Sequence, residues 1–156
     1  MKASWKALLA HLAIPLLVGG LSALLTRNSM EHYEVWQRPP LSPPGTVFPI
    51  VWTILFLLMG YSAYRIWRSK LPGRERALVL YALQLLVNFL WPLLFFRWGW
   101  LLPAFFWILL LIGLVAWMIA LFYPLDHTAA LLQFPYLLWL IFAAYLNLGV
   151  WWLNRI

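Results

Sequence analysis

The chain has 156 residues, of which 65% are apolar and only 10% are charged. An average soluble domain is about half apolar and about a quarter charged, so water is not the main solvent of this protein. At roughly 20 apolar residues per crossing, the length holds about five spans of a bilayer and leaves no room for a separate soluble catalytic domain. Cysteine is absent, which excludes disulfides, thiolate metal sites and cysteine nucleophiles.

Five apolar runs in chain order predict an all-α integral membrane protein, a single five-helix transmembrane domain over residues 1–156. The first run lacks a small-residue cleavage site, so we interpret it as a retained helix and not as a signal peptide. Prolines within the runs predict kinks, because neighbouring helices can satisfy the freed backbone groups. The predicted helices are approximately 5–25, 47–67, 77–96, 100–123 and 128–153.

A polar connection at residues 26–46 separates the first two runs. A loop of about twenty residues is usually functional or disordered. This one contains Pro39, Pro40, Pro43 and Pro44, which favour a stiff extended path. We therefore predict a lid that controls access to an interior pocket.

The net charge of +7 sits in short segments between the apolar runs, which favours topology signals over a nucleic-acid partner. Seven basic residues fall on the side of the N-terminus and four on the other side. Cytoplasmic loops carry the excess of Lys and Arg, so the N-terminus is predicted to be cytoplasmic and the C-terminus outside, in a bacterial cell membrane. The two sets are Lys2, Lys6, Arg65, Arg68, Lys70, Arg74 and Arg76 against Arg27, Arg38, Arg97 and Arg155.

Polar side chains inside predicted spans are few, and each is a functional hypothesis because it is costly in lipid. They form one face on the third run and one face on the fifth. Two readings stay open: the amides tie helices together, or they line an interior with flat rings. The residues are Gln84, Asn88 and Trp91 on the third run, and Tyr136, Trp139, Ala143 and Asn147 on the fifth.

Tryptophan occurs 12 times, far above average usage. Those at span ends, such as Trp5 and Trp98, are predicted interfacial anchors. The deeper Trp52, Trp91, Trp107 and Trp139 either fill core space or provide a stacking surface for a planar apolar ligand.

Metal and nucleophile chemistry has little support in the sequence. No two histidines have ligand spacing and no span carries an acid, so no metal site is predicted, although a single axial haem ligand from His11 or His127 stays open. The lack of an ionisable group within the spans also weakens a proton-coupled transporter.

Short motifs run in a fixed order from the lid to the last span: Gln37-Arg-Pro39, Ser42-Pro-Pro44, Val47 to Thr53, Met59-Gly-Tyr61, Gln84 to Pro92, Phe95-Phe96, Pro135 to Trp139, and Phe142 to Asn147. Jointly, and with five spans at this length, they are specific. The sequence resembles the translocator protein family, also called tryptophan-rich sensory proteins (TspO/MBR) or peripheral benzodiazepine receptors, in its bacterial form.

That resemblance implies a helix bundle with a pocket under the first loop that binds porphyrins (protoporphyrin IX or haem as ligand), sterols and benzodiazepine-type drugs. No cofactor is obligatory. It assigns Trp52 and Trp139 to the pocket and to any light-driven porphyrin degradation. Further ligand contacts are implied or expected at Tyr33, Pro43, Pro44, Gln84, Asn88, Trp91, Trp100, Tyr136, Ala143 and Asn147.

Three positions depart from the family pattern. Leu41 stands where the family usually has a Trp in the lid, and Leu148 and Trp152 replace the Tyr and Arg of the animal cholesterol motif. That sterol site is therefore not expected here.

Three functions remain for this sequence: a membrane receptor or sensor of planar apolar ligands, which we expect, an enzyme that consumes porphyrin in light, and a transporter. The expected partners are the lipid bilayer and a hydrophobic small molecule, and a homodimer is left open.

Overall fold

The computed structural model describes residues 2–155, with side chains from residue 5 onwards. Five helices are long and apolar enough to cross a membrane, which confirms the predicted all-α membrane fold. Two shorter helices belong to these spans: one extends the first span and one begins the last span. The α-helices are α1 (Lys2–Thr26), α2 (Met30–Val35), α3 (Val47–Arg68), α4 (Arg74–Pro92), α5 (Leu101–Phe122), α6 (His127–Leu132) and α7 (Phe134–Asn154).

The first span is longer than predicted. A 3₁₀ turn at Arg27–Ser29 connects α1 to α2, so the apolar helix continues to Val35 and takes in Glu31 and Glu34. The reason is local, since residues 21–38 contain neither proline nor glycine to end the helix. The first ten residues of the predicted lid are therefore helical or turn, and the extended path begins at Trp36.

Two prolines reshape the other spans. After Pro92, α4 passes into a π-helical turn at Leu93–Arg97, in which the Trp98 N–H donates to the Leu93 carbonyl at 2.9 Å. Between α6 and α7 the helix is interrupted at Gln133, and Pro135 occupies the first turn of α7. The predicted single helix over 128–153 is thus two helices, because a proline in the first turn starts a helix but cannot continue one.

Close backbone contact positions α1 on α3. A Cβ atom added to Gly60 would lie 2.5 Å from the His11 carbonyl oxygen, so only glycine fits at this crossing. On the other side of the bundle, α5 packs between α4 and α7, and α6 packs on α3. The core lies between α3, α4, α5 and α7.

The membrane-surface end of α6 is fixed by Asp126. Its carboxylate accepts the Ala129 N–H at 3.0 Å as the helix N-cap, and the Arg65 Nε donates to it at 3.0 Å from α3. Burial raises the pKa of this carboxyl, but the Ala129 N–H and the Arg65 guanidinium outweigh that effect, so the pKa is lowered. Asp126 therefore both begins α6 and joins it to α3.

Variants at Asp126 separate these two roles. Asp126→Asn keeps the cap, because Asn is an equally good N-cap, and loses only a partly exposed ion pair, about 0–1 kcal/mol. Asp126→Ala loses the cap as well and is expected to cost roughly 0.5–2 kcal/mol more. Unfolding of the purified protein in detergent measures both, and equal stability of the two variants would contradict the capping role.

The depressed pKa also predicts a pH dependence. The ion pair stabilises the fold fully above the unfolded-state pKa, about 3.9, and this stabilisation is lost as pH falls through the lower folded-state value. The stability difference between wild type and Asp126→Asn should therefore be constant above about pH 5 and shrink in acid. A difference that grows in acid would contradict this account.

Candidate ligand-binding site

A cavity of about 470 Å³ lies between α1, α3 and α4, beneath α2. Its α1 wall consists of Gly19, Ser22, Ala23 and Thr26, which follow one helical face at i, i+3, i+4 and i+7. Gly19 is required here, because a Cβ at this position would collide with the Phe56 ring. This wall is therefore smooth and built from small side chains.

The opposite wall is aromatic. Phe48, Trp52 and Phe56 project from α3 at intervals of four residues, and Phe96 joins them from the π-helical turn. Trp52 and Phe56 stack with ring centroids 5.4 Å apart. The π-helical turn brings Phe96 to the cavity, and such turns are common at functional sites.

The charged residues that line the cavity lie at its mouth. They are Arg27 and Glu34, and both are exposed, as is the neighbouring polar Thr46. The Glu34 carboxylate lies 3.9 Å from Arg38, which is too long for a strong ion pair. The site thus has an apolar interior and a polar rim with both signs of charge.

Of the twelve predicted ligand contacts, Trp52 and Asn88 line this cavity. Trp139 and Tyr136 lie directly behind Trp52, with ring centroids 6.5 Å and 6.1 Å from it. Trp139 also meets the edge of Phe48 at 6.0 Å. Trp139 therefore supports the aromatic wall from the second layer.

Asn88 connects the cavity to a buried polar chain. Its Nδ2 donates to the Tyr136 hydroxyl at 2.7 Å, and this hydroxyl donates to Gln84 Oε1 at 2.7 Å. The Gln84 Nε2 faces the Met59 sulfur at 4.0 Å. Gln84 thus ties α4 to α7 within the core, whereas Asn88 both ties helices and reaches the cavity.

A second buried pair lies outside the cavity. The Trp91 Nε1–H donates to Asn147 Oδ1 at 3.0 Å, and Asn147 Nδ2 donates to the Leu101 carbonyl at 2.7 Å. Ala143 is buried on the same face of α7. Trp100 is 55% exposed beside Trp98, away from the cavity lining. The structure gives Trp91 and Asn147 a helix-joining role.

The predicted lid residues act through one buried phenol. Tyr33 on α2 packs edge-on against Phe48 at 5.1 Å and Phe96 at 6.1 Å, both of which line the cavity. Its hydroxyl donates to the Pro43 carbonyl at 2.6 Å. Pro43 and Pro44 thus lie above Tyr33, one layer outside the cavity wall.

The proline-rich segment is fastened to α7. Asn154 pairs with the Gln37 backbone in both directions, at 2.7 Å and 3.0 Å, and the Tyr145 hydroxyl donates to the Pro40 carbonyl at 2.7 Å. Gly149 leaves room for Pro39, because a Cβ there would lie 2.5 Å from the proline ring. Sequence reasoning missed these three α7 residues, and the glycine within an apolar helix was the available signal.

Among the described residues, no group of three His, Asp or Glu side chains comes together as a metal site requires. Residues 11–153 match the sequence model of the TspO/MBR family.

The chain belongs to the TspO/MBR family. Its relatives include the translocator protein of Bos taurus, 35% identical over 163 residues that cover 100% of this chain and 95% of the bovine protein. The tryptophan-rich sensory protein of Cereibacter sphaeroides is 34% identical over 154 residues, covering 99% and 95%. The translocator protein of Homo sapiens is 38% identical over 130 residues, covering 80% and 75%. As a TspO/MBR protein, the chain is an integral membrane protein in a lipid bilayer.

The docking of the proline-rich segment predicts the effect of a single methyl group. Gly149→Ala should displace Pro39 and weaken the Gln37–Asn154 pair, at a cost of about 1–3 kcal/mol for overpacking. Amide hydrogen exchange at Gln37 should then be about tenfold faster or more. Gly113→Ala on α5, where a Cβ meets nothing within 4 Å, is the matched control. Unchanged protection of Gln37 in Gly149→Ala would remove this anchor from the account.

Proposed function

We propose that this TspO/MBR protein binds flat, hydrophobic ligands, chiefly porphyrins, in the cavity beneath α2. One observation carries the proposal: a wall of aromatic rings faces a wall of small side chains across the cavity. A planar ligand stacks on rings on one side and needs a smooth surface on the other. The slot therefore suits a flat ring system better than a chain-like lipid.

The volume of the cavity and the placement of its polar residues support the same class of ligand. A volume of about 470 Å³ is within the range of small-molecule sites, about 300–1,000 Å³. Asn88 provides a directed amide at the inner end, and Arg27 provides a cation at the mouth. A porphyrin places carboxylates on one edge of an apolar disc, which matches a basic side chain at the rim. Benzodiazepine-type aromatic drugs share the flat apolar part but not the carboxylates.

A light-dependent oxidation of the ligand is the second candidate. The observation that favours it is the edge contact between Trp52 in the cavity wall and Trp139 behind it. Indole is the most easily oxidised of these aromatic side chains, so a porphyrin excited by light would accept one electron from Trp52 and leave an indole radical cation. Net oxidation of the ligand then requires dissolved dioxygen as the terminal electron acceptor. Binding is the step that sensing, transport and degradation share.

Substitutions at Trp52 test the binding proposal. Trp52→Ala removes the stacking surface and should weaken protoporphyrin IX binding by about 1–3 kcal/mol, by analogy with base–aromatic stacking. Trp52→Phe should weaken it less and abolish any light reaction. Trp139→Ala should have a smaller effect, because it acts through Trp52 and Phe48. Quenching of tryptophan fluorescence and pigment absorbance, in dark and light, measure both properties.

Trp117 provides the control, because it is half exposed on α5 and does not line the cavity. Trp117→Ala should bind protoporphyrin IX like the wild type. If a well-folded Trp52→Ala protein also binds like the wild type, the aromatic wall is packing alone and the proposed site is wrong.

We also propose that the N-terminus is cytoplasmic and the cavity mouth faces outward, on the seven-to-four asymmetry of Lys and Arg. A reporter fused after Ile156 should be accessible outside the cell, and one inserted in the loop at 69–73 should be protected. The reverse labelling pattern would overturn this orientation.

A further inference from the structure

Two buried polar side chains lie on the side of the Asn88–Tyr136–Gln84 chain that faces away from the lid. Gln133, at the interruption between α6 and α7, is fully buried, and neither its Nε2 nor its Oε1 has a hydrogen-bond partner among the described residues. The hydroxyl of Tyr81 on α4 is also buried without a partner there. These two residues thus carry three buried polar atoms without a partner among the described residues.

The register of the helices places these two residues at the same depth. Helices α4 and α7 run in the same direction, and the hydrogen bond from Tyr136 to Gln84 fixes their relative position. Tyr81 precedes Gln84 by three residues, and Gln133 precedes Tyr136 by three, one turn towards the same end in each case.

Leaving these atoms unpaired is costly. An unsatisfied buried donor or acceptor costs about 1–3 kcal/mol, and the surrounding hydrocarbon supplies no hydrogen-bond partner to offset that cost. Buried polar groups without protein partners commonly hold an ordered water, which needs two to four partners. Three unsatisfied atoms meet that requirement.

We propose that Tyr81 and Gln133 bind a water molecule between α4 and the α6–α7 junction. The donor set selects neutral water. Tyr81 O–H and Gln133 Nε2–H donate, whereas Gln133 Oε1 accepts, so the ligand must both accept and donate hydrogen bonds. A simple anion cannot satisfy Oε1 and a simple metal cation cannot accept from the two donors. The bound water extends the polar interior one helical turn beyond Gln84, and so about two turns beyond the cavity's own Asn88.

This inference is independent of the ligand proposed for the cavity. It concerns the apo protein, and its test requires no porphyrin. Failure of porphyrin binding would leave the water site intact, and absence of the water would leave the aromatic wall intact.

Water-edited solid-state NMR of the full chain in lipid bilayers tests the site directly. The Gln133 side-chain amide, assigned by its loss in Gln133→Met, should receive polarisation from water. The Asn147 amide is the internal control, because Trp91 and the Leu101 carbonyl already satisfy it. Equal absence of water transfer at both amides would overturn the proposal.

Thermal stability gives a second readout, because substitutions at Tyr81 and Gln133 should change the unfolding temperature in opposite directions for a site that holds a shared water and for an empty site. With a shared water, Tyr81→Phe and Gln133→Met should each lower the unfolding temperature, and the double variant should lower it by less than the sum. With an empty site, each substitution removes an unsatisfied group and should raise the unfolding temperature, additively. Tyr123→Phe, at an exposed position, controls for loss of a hydroxyl alone. Additive or stabilising effects would overturn the shared water.

Discussion

A polar group in the membrane interior pairs within the protein or with a water held by the protein, because the hydrocarbon core offers no water. In this bundle that constraint decides which faces meet. Asn88 and Gln84 on α4 are satisfied by the Tyr136 hydroxyl, and Trp91 is satisfied by Asn147. These bonds fix α4 and α7 in rotation and in register. The aromatic wall in front of Tyr136 takes its position from that pairing.

The first helix is held differently, and the cavity follows from this difference. Helix α1 contacts α3 through backbone at Gly60 and His11, and among its described side chains Ser22 Oγ donates to the Phe89 carbonyl of α4 at 3.1 Å. Beyond Gly19 its small side chains leave space in front of α3. Helix α2 and Tyr33 then cover that space, and α7 holds the proline-rich segment in place.

The sequence predicted the parts that depend on composition and periodicity. The five apolar runs are the five spans, and the amide-bearing faces of the third and fifth runs do turn inward. The partner of each amide was not predictable, because periodicity gives a face and not the helix opposite to it. Gln84 and Asn147 were expected among the ligand contacts, yet they bond to other helices. Gln84 joins α4 to α7 through Tyr136, and Asn147 joins α7 to α4 and α5 through Trp91 and the Leu101 carbonyl.

The cavity wall on α1 was the larger omission. Gly19, Ser22 and Ala23 are small residues of the kind that let helices approach closely in lipid, and Gly19 does so against Phe56. The same small side chains also border the cavity. The cavity exists because α3 stands away from α1 at this point, and this separation cannot be read from the residues of α1. Likewise, the π-helical turn that turns Phe96 inward arises after Pro92, from backbone geometry that the residue pattern does not encode.

The central claim is that a ligand occupies the space between the small-residue wall and the aromatic wall. Because the chain has no cysteine, a single thiol can report on it. Thr46→Cys places that thiol at the cavity mouth, and Thr128→Cys places one at an exposed position on α6 as a control. In detergent, protoporphyrin IX should slow maleimide labelling at position 46 and leave position 128 unchanged. Equal labelling rates at position 46 with and without saturating protoporphyrin IX would contradict the account.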